Sequence, residues 1–331
     1  MVRSVVGLEV TEESVRAAEV SLGRSPQLLG YGEVPLSPEA AKDSEVLDPG
    51  AVAVALRQLW TGARFKSKEV VLGVASRRIL VREYTTQAMR PDVLREALPY
   101  QVQDLLPVPA SQAVLDFYPL SQQGDQVSGL LVAAVTETIE QIISTLARVK
   151  LRAVAVDLTA FGLARATARL TPADATVATV YVGDHTTQVV VARGGVPHFV
   201  RILPIDVPTA AAQRHVNSPE PLIDELVPLA TTRSRGALRS ASSPIVGDLA
   251  ARLRSTVAFY ASRPNAHPIS QVFVTGAGAS IEGLLPAVTA AIDEPIAVVA
   301  TQDVIAVKSA PAGDLALNLV STIGVALGEV R

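Results

Sequence analysis

The chain has no cysteine, which rules out disulfide bonds and thiolate chemistry and fits the cytosol. Histidine is scarce: four are scattered through 331 residues, and none has the spacing of a metal-ligand pair. An excess of positive charge is also missing. With a net charge of −3 there is no basic stripe for a phosphate backbone, and no nucleic-acid partner is expected. No run reaches the roughly 18 uninterrupted apolar residues of a membrane span. The longest weakly charged stretch, Leu315–Val330, contains Asn318, Ser321 and two glycines and reads as a core helix. Met1 leads directly into a strand carrying Arg3 and Glu9, which does not resemble a signal peptide. These absences point to a cytoplasmic protein that reaches a membrane only through something else.

What is present is a repeat. A chain of this length with 49% hydrophobic residues can bury two cores, and two stretches about 170 residues apart read alike. Val6–Val20 and Thr179–Ala192 are each an apolar strand, a tight polar turn and a second strand. Around the first, Val2–Val10, Ser14–Leu22 and Gln27–Leu36 predict a meander, followed by a helix over Pro49–Ala63 and strands over Glu69–Ala75 and Ile79–Tyr84. Later come a strand over Gly129–Thr136, a helix over Glu137–Val149, a strand over Arg152–Asp157 and a helix over Leu158–Leu170. Around the second, Ala178–Gly183, Gln188–Ala192 and His198–Pro204 predict another meander, with Gly194-Gly195 as a turn. A helix over Val246–Ser262, a strand over Gln271–Thr275, the turn Gly276-Ala277-Gly278, a further helix and a strand over Ile296–Ala300 close the chain. Internal duplication explains this order most simply.

One segment belongs to neither copy. From Arg82 to Tyr118, Leu94, Leu98, Val102, Leu105 and Leu106 recur at helical spacing, predicting a helix from about Asp92 that ends before Pro107 and Pro109. Pro99 should kink it or shift its start, and Tyr100, Gln101 and Asp104 fall largely off its apolar stripe. Ser218–Pro244, rich in Pro, Ser, Arg and Thr, reads as a less ordered excursion.

A duplicated α/β lobe with paired hairpins and a late Gly-x-Gly turn resembles the actin, sugar kinase and Hsp70 class. Within it, a strand ending Arg82-Glu83, a helix running to Pro107-x-Pro109 and a strand with Asp116-Phe117-Tyr118 resemble the PilM family of type IV pilus assembly proteins. Val154–Asp157 followed by Ala160–Arg165, Ser255–Tyr260 followed by Phe273–Ala279, and Ile323–Gly328 match that family in order. The resemblance implies an α/β, two-lobed actin-like (ribonuclease H-like duplicated) fold. The first lobe would cover 1–157, with an extra partner-binding subdomain at about 82–150, and the second 158–331. It implies a cleft for ATP with Mg²⁺, contacted by Thr11, Ser14, Gly183, Thr186, Thr187, Gly276, Ala277 and Gly278. It further implies that the extra subdomain, with Arg82, Tyr100, Gln101 and Asp104 at its periphery, receives the N-terminal cytoplasmic tail of a PilN-like membrane protein. Pilus motor ATPases and weak self-association are further expectations.

Departures from the family bear on chemistry. Where members carry Asp-Ile-Gly-Ser, this chain has Glu9-Val10-Thr11-Glu12, losing the glycine turn and adding negative charge where a triphosphate would lie. Two like charges near 4 Å repel by about 1 to 4 kcal/mol. Where the second hairpin carries Asp, this chain has Tyr181, and a glutamate usual before the Gly-x-Gly turn is Arg252. A scaffold with slow or absent hydrolysis is the expectation. An active Mg-ATPase or phosphotransferase of the same fold is the alternative, and an FtsA-like division protein would need an amphipathic terminal helix not seen in this sequence. Each residue keeps a plainer reading: Glu9 as a solvated or paired carboxylate, Ser14, Thr186 and Thr187 as turn hydroxyls, the two glycines as a tight turn, and His185 as a solvated loop residue. Arg77, Arg78 and Arg82 face either an acidic partner or lipid, or simply solvent.

Overall fold

The computed structural model describes residues 3–216, 235–264 and 266–329. Ser4–Val10 (β1), Ser14–Ser21 (β2) and Gln27–Pro35 (β3) form an antiparallel meander. A small ribbon, Ala41–Lys42 (β4) with Glu45–Val46 (β5), leads to the helix Pro49–Ala63 (α1) and the strand Glu69–Val74 (β6). That helix begins where the sequence says it should: Asp48 caps the amides of Gly50 and Ala51, and Pro49 takes the first turn, where no amide donor is needed. Leu80–Gln87 (β7), Pro91–Gln101 (α2), Ala113–Gln123 (β8) and Gln126–Val135 (β9) follow, then Thr136–Arg148 (α3), Arg152–Leu158 (β10) and Thr159–Thr167 (α4).

The second half runs Thr176–Val182 (β11), Thr186–Arg193 (β12), Val196–Pro204 (β13), Ala210–Val216 (α5) and Arg235–Ala261 (α6). Gln271–Thr275 (β14), Leu284–Ala291 (α7), Ile296–Val298 (β15), Thr301–Val304 (α8), Ala306–Val307 (β16) and Asp314–Ala326 (α9) complete it. The first sheet has the order β10-β6-β1-β2-β3-β16 and the second β13-β12-β11-β14-β15. Read from the meander outward, both carry the same plan: third, second and first strands antiparallel, then two more strands parallel to the first. This is the repeated plan of the expected actin-like fold.

Alternation along β11 explains how the lobes join. Ala178, Val180 and Val182 enter the core of the second lobe, while Val177 and Tyr181 point to the opposite face, into the core shared with the first. Two helices fill that shared layer. The α4 helix packs on the second sheet, and α9 crosses back over β1, β2 and β6 of the first. They touch at the backbone, because a Cβ on Gly324 would lie 1.9 Å from the carbonyl oxygen of Gly162. A side chain at either glycine would push the helices, and with them the lobes, apart.

Several expectations change. The α2 helix ends at Gln101, short of Pro107, and a 3-10 turn covers Gln103–Leu105. Pro99 removes an amide donor from its last turn, and burial of Leu98 and Val102 draws the chain inward there. The extra subdomain is the antiparallel sheet β7-β9-β8 with α2, whereas α3 packs on α1 and belongs to the main lobe, so the subdomain ends near 135 instead of 150. The sixth helix begins eleven residues before Val246 and runs through Pro244; good helix formers such as Ala237, Leu238, Arg239 and Ala241 outweigh one missing amide bond. Residues 218–234 of the weakly patterned excursion lie outside the described residues. Finally, β16 pairs with β3, so the end of the chain returns to the first sheet, an arrangement that local pattern cannot reveal.

Candidate functional site

The two hairpins meet where the lobes face each other. In each, one residue before the last of the outgoing strand lies opposite the third residue of the returning strand: Glu9 opposite Arg16, and Tyr181 opposite Gln188. All four are at most 4% exposed. Arg16 donates to Glu9 Oε2 through Nη2 at 2.8 Å and Nε at 3.2 Å, and through Nη2 to the Tyr181 hydroxyl at 2.6 Å. Glu9 Oε1 accepts from Ser321 Oγ at 2.7 Å and Thr322 Oγ1 at 3.0 Å. The Tyr181 hydroxyl donates to Asn318 Oδ1 at 3.1 Å, and that oxygen also accepts the amide of Ala277 at 2.8 Å. Gln188 Oε1 accepts from Thr159 Oγ1 at 2.7 Å. A continuous buried network thus runs from β1 to the loop after β14.

Its electrostatics are self-contained. Burial alone would lower the Arg16 pKa, but the Tyr181 oxygen, Glu9 and Glu33 hold it above the ordinary guanidinium range, so the cation persists. Burial pushes the Tyr181 phenol up, against the opposing pull of Arg16, and it stays neutral. At the rim, His185 bridges Glu13 Oε1 and Asp206 Oδ1, each at 2.9 Å, with Glu12 4.0 Å away. The hydrogen bond to Glu13 outweighs partial burial, and with Asp206 and Glu12 raises the imidazole pKa to about 9. The histidine is not the solvated loop residue expected; it ties one lobe's turn to the other's.

Several of the residues expected to hold phosphates are spent on the protein. Thr11 Oγ1 accepts the Ser14 amide, and Ser14 Oγ donates to Glu33 at 2.7 Å. The Gly183 amide donates to the Thr186 carbonyl. Thr11, Gly183 and Thr186 line the residual cavity, but Thr187 is fully buried away from its lining. Gly276 and Gly278 press against β11: a Cβ would lie 2.4 Å from the Val182 carbonyl oxygen at the first and 2.3 Å from its side chain at the second. Their smallness serves strand packing. The cavity measures about 50 Å³, room for a few waters, whereas small-molecule pockets run to about 300–1,000 Å³. Among the described residues no cluster of acidic or histidine side chains is placed to hold a metal. In this closure the cavity between the hairpins is therefore too small for the phosphates of Mg²⁺-ATP. Arg252, which stands where a glutamate is usual in the family, pairs with Asp248 at 2.8 Å.

The extra subdomain is built differently. Leu98, Val102 and Leu131 form a small core of their own, flanked by Tyr84 and Phe117 in edge-to-face contact. Between α2 and β8 a groove of about 410 Å³ is lined by Met89, Leu94, Leu98, Leu115, Phe117 and Leu120 among others. Tyr100 is 84% exposed, and Arg82 and Asp104 are exposed too, but none of the three lines this groove. Gln101 Oε1 accepts from Thr86 at 3.0 Å and Tyr84 at 3.3 Å, so it braces α2 on its sheet. A second, much smaller recess lies on the seam with the main lobe, lined by Val74, Ile79, Ala134 and Ile139. Arg77 and Arg78 stand beside this seam, paired with Asp43 and Glu45. The subdomain also reaches the second lobe: Glu83 pairs with Arg263, which stacks on Phe199 and Tyr260.

Reasoning from sequence alone did not find Arg16, Gln188, Asn318, Ser321, Thr322 or Asp206. A signal existed for the first two, because Glu9 and Arg16 are equidistant from one turn, and Tyr181 and Gln188 from the other. Asn318 and Ser321 showed only as polar breaks in an apolar helix.

Comparison with known proteins agrees with this architecture. A solved structure described as a PilM-PilN type IV pilus biogenesis complex aligns over 99% of this chain and 98% of its own, with a TM-score of 0.82 and 22% identity. The ethanolamine utilization protein EutJ from Carboxydothermus hydrogenoformans aligns over 98% and 89% (TM-score 0.53, 14% identity). The cytoplasmic domain of EpsL, an inner-membrane component of the type II secretion system of Vibrio cholerae, aligns over 99% and 97% (TM-score 0.51, 11% identity). At these identities the likeness establishes the fold alone. A family model, Type IV pilus assembly protein PilM, matches residues 7–202. That match spans more than half of the sequence, and the chain belongs to the PilM family of type IV pilus assembly proteins.

Proposed function

We propose that this protein is an actin-like scaffold of the type IV pilus inner-membrane assembly complex. Its extra subdomain receives the N-terminal cytoplasmic tail of a PilN-like membrane protein, and that tail holds the scaffold at the inner face of the membrane. Among the described residues no helix is long and apolar enough to cross a membrane, which agrees with attachment through a partner. The scaffold works without turning over ATP and helps couple the pilus platform to its motor ATPases.

The observation that carries this reading is the contrast in how the two recesses are filled. Side chains of the protein occupy the inter-lobe cleft down to about 50 Å³, while the subdomain keeps an apolar groove of about 410 Å³. A linear tail suits such a surface, with side chains in apolar pockets and main-chain bonds along a strand edge. The order β7-β9-β8 leaves two edges to offer.

A labelled peptide of the PilN-like tail, titrated by fluorescence polarisation with and without Mg²⁺-ATP, tests it. Saturable binding unchanged by the nucleotide is expected, together with no phosphate release in a single-turnover assay. Absence of tail binding would overturn the scaffold reading. Phosphate release would restore the enzyme.

A further inference from the structure

The buried network between the hairpins does more than exclude a ligand. Arg16 is 3% exposed and contacts side chains of both lobes; its Tyr181 partner lies 165 residues along the chain. Its guanidinium also lies over the Tyr181 ring, 5.7 Å from the centroid. A cation buried this deeply is tolerated only when charge and hydrogen-bonding demand are both met. Glu9 meets the charge, and Glu9 in turn is bonded by Ser321 and Thr322 from α9. From Tyr181 the chain of bonds continues through Asn318 to the amide of Ala277, in the loop after β14. Two cross-strand pairs at equivalent places of the two hairpins therefore interlock, one supplying a cation and the other a neutral hydroxyl.

We propose that the Arg16 guanidinium is the resident cation of the cleft, a built-in ligand that clamps the two lobes closed by bridging Glu9 of the first to Tyr181 of the second. Closure is then encoded in the chain and needs no added metal or nucleotide. This rests on the reading of the cleft as one that Mg²⁺-ATP does not enter. Hydrogen bonds to a buried charge depend on geometry, so the clamp selects one inter-lobe arrangement instead of merely adding affinity. The rim contact of His185 with Glu13 and Asp206 reinforces the same closure from outside.

Two variants separate the clamp from ordinary core stability. Tyr181→Phe keeps the ring and deletes only the bridging hydroxyl. The double variant Glu9→Gln/Arg16→Gln removes both charges together and leaves neither unpaired. Amide hydrogen exchange reports local opening. In either variant, exchange should rise about tenfold or more in the hairpin turns at 11–14 and 183–186 and in the loop at 276–279, while α1 and α7 keep wild-type rates. Millimolar Mg²⁺-ATP should leave wild-type exchange unchanged. If the double variant fails to fold, Tyr181→Phe decides alone. Wild-type protection in Tyr181→Phe, or slowing of wild-type exchange by Mg²⁺-ATP, would overturn the clamp. Failure of the wild type to bind the PilN-like tail would sink the scaffold reading and leave the clamp standing, so the two can fail separately.

Discussion

The cleft and the extra subdomain solve opposite problems with opposite materials. The cleft keeps only about 50 Å³ open, and every side-chain oxygen of Glu9 and Tyr181 faces a partner. The subdomain has a core of only Leu98, Val102 and Leu131 and keeps apolar side chains on an open groove. A buried polar network tolerates little rearrangement, because each group left unpaired is costly. A thin apolar layer deforms cheaply. The rigid part of this protein is therefore the inter-lobe cleft, and the adaptable part is the subdomain proposed to dock the partner.

The largest effect should come from breaking the cleft. Arg16→Ala leaves Glu9, 4% exposed, without its cation; losing one partner of a buried pair costs about 3–5 kcal/mol. Thermal denaturation should show a cooperative drop in melting temperature for the whole molecule. An unchanged melting point would mean that water or another group already compensates Glu9.

Leu98→Ala probes the other side of the comparison. Leu98 is 2% exposed, and Leu→Ala changes in cores cost about 2–5 kcal/mol. Here the loss should stay local: exchange should accelerate over 80–135 and tail binding should weaken, while the hairpin turns remain protected. Simultaneous loss of protection in the cleft would show that the two regions form one cooperative unit, coupled through Glu83 and Arg263.

A smaller, pH-dependent effect comes from the rim. His185 holds its proton to about pH 9 in the folded protein, against about 6.5 in an unfolded chain. Its contribution is fully present below about pH 6.5 and is lost as pH rises through about 9, because over that window the folded state binds the extra proton. The side chain is partly exposed, so about 1 kcal/mol or less is at stake. The stability difference between wild type and His185→Gln, followed from pH 6 to 10 by denaturant titration, should shrink toward zero. A difference that grows with pH would refute the ion triad.

The smallest change in stability is expected at Tyr100, which is 84% exposed. Tyr100→Ala should alter stability by no more than about 0.5 kcal/mol yet weaken the tail severalfold, measured by polarisation. Gln101→Ala is the less clean probe, because it also removes the acceptor that braces Tyr84 and Thr86.

Much of the fold was legible where local chemistry decides. Asp48-Pro49 announces α1 to the residue, and the apolar run before Gly276 announces β14. The hairpins follow from short polar turns between apolar strands, and their registers place Glu9 opposite Arg16 and Tyr181 opposite Gln188. What escaped was long-range. His185 read as a solvated turn residue because neither Glu13 nor Asp206 is near it on its own strand. Arg16 read as one more strand residue, and the sequence left Gly276 and Gly278 open between a nucleotide contact and a tight turn, without showing that both lie against Val182.

The sequence by itself determined the two meanders, the segment that interrupts the first lobe, and the loss of the glycine turn and second acidic residue usual in the family. These are properties of neighbours along the chain, where turn chemistry, periodicity and residue type suffice. Only the tertiary structure decided what replaced the missing groups. Whether a buried carboxylate is a ligand for a metal or one half of an internal ion pair depends on which charge lies within about 3 Å, and here that charge is Arg16. Its bridge to Tyr181, across 165 residues, exists only once α4 and α9 have brought the lobes together.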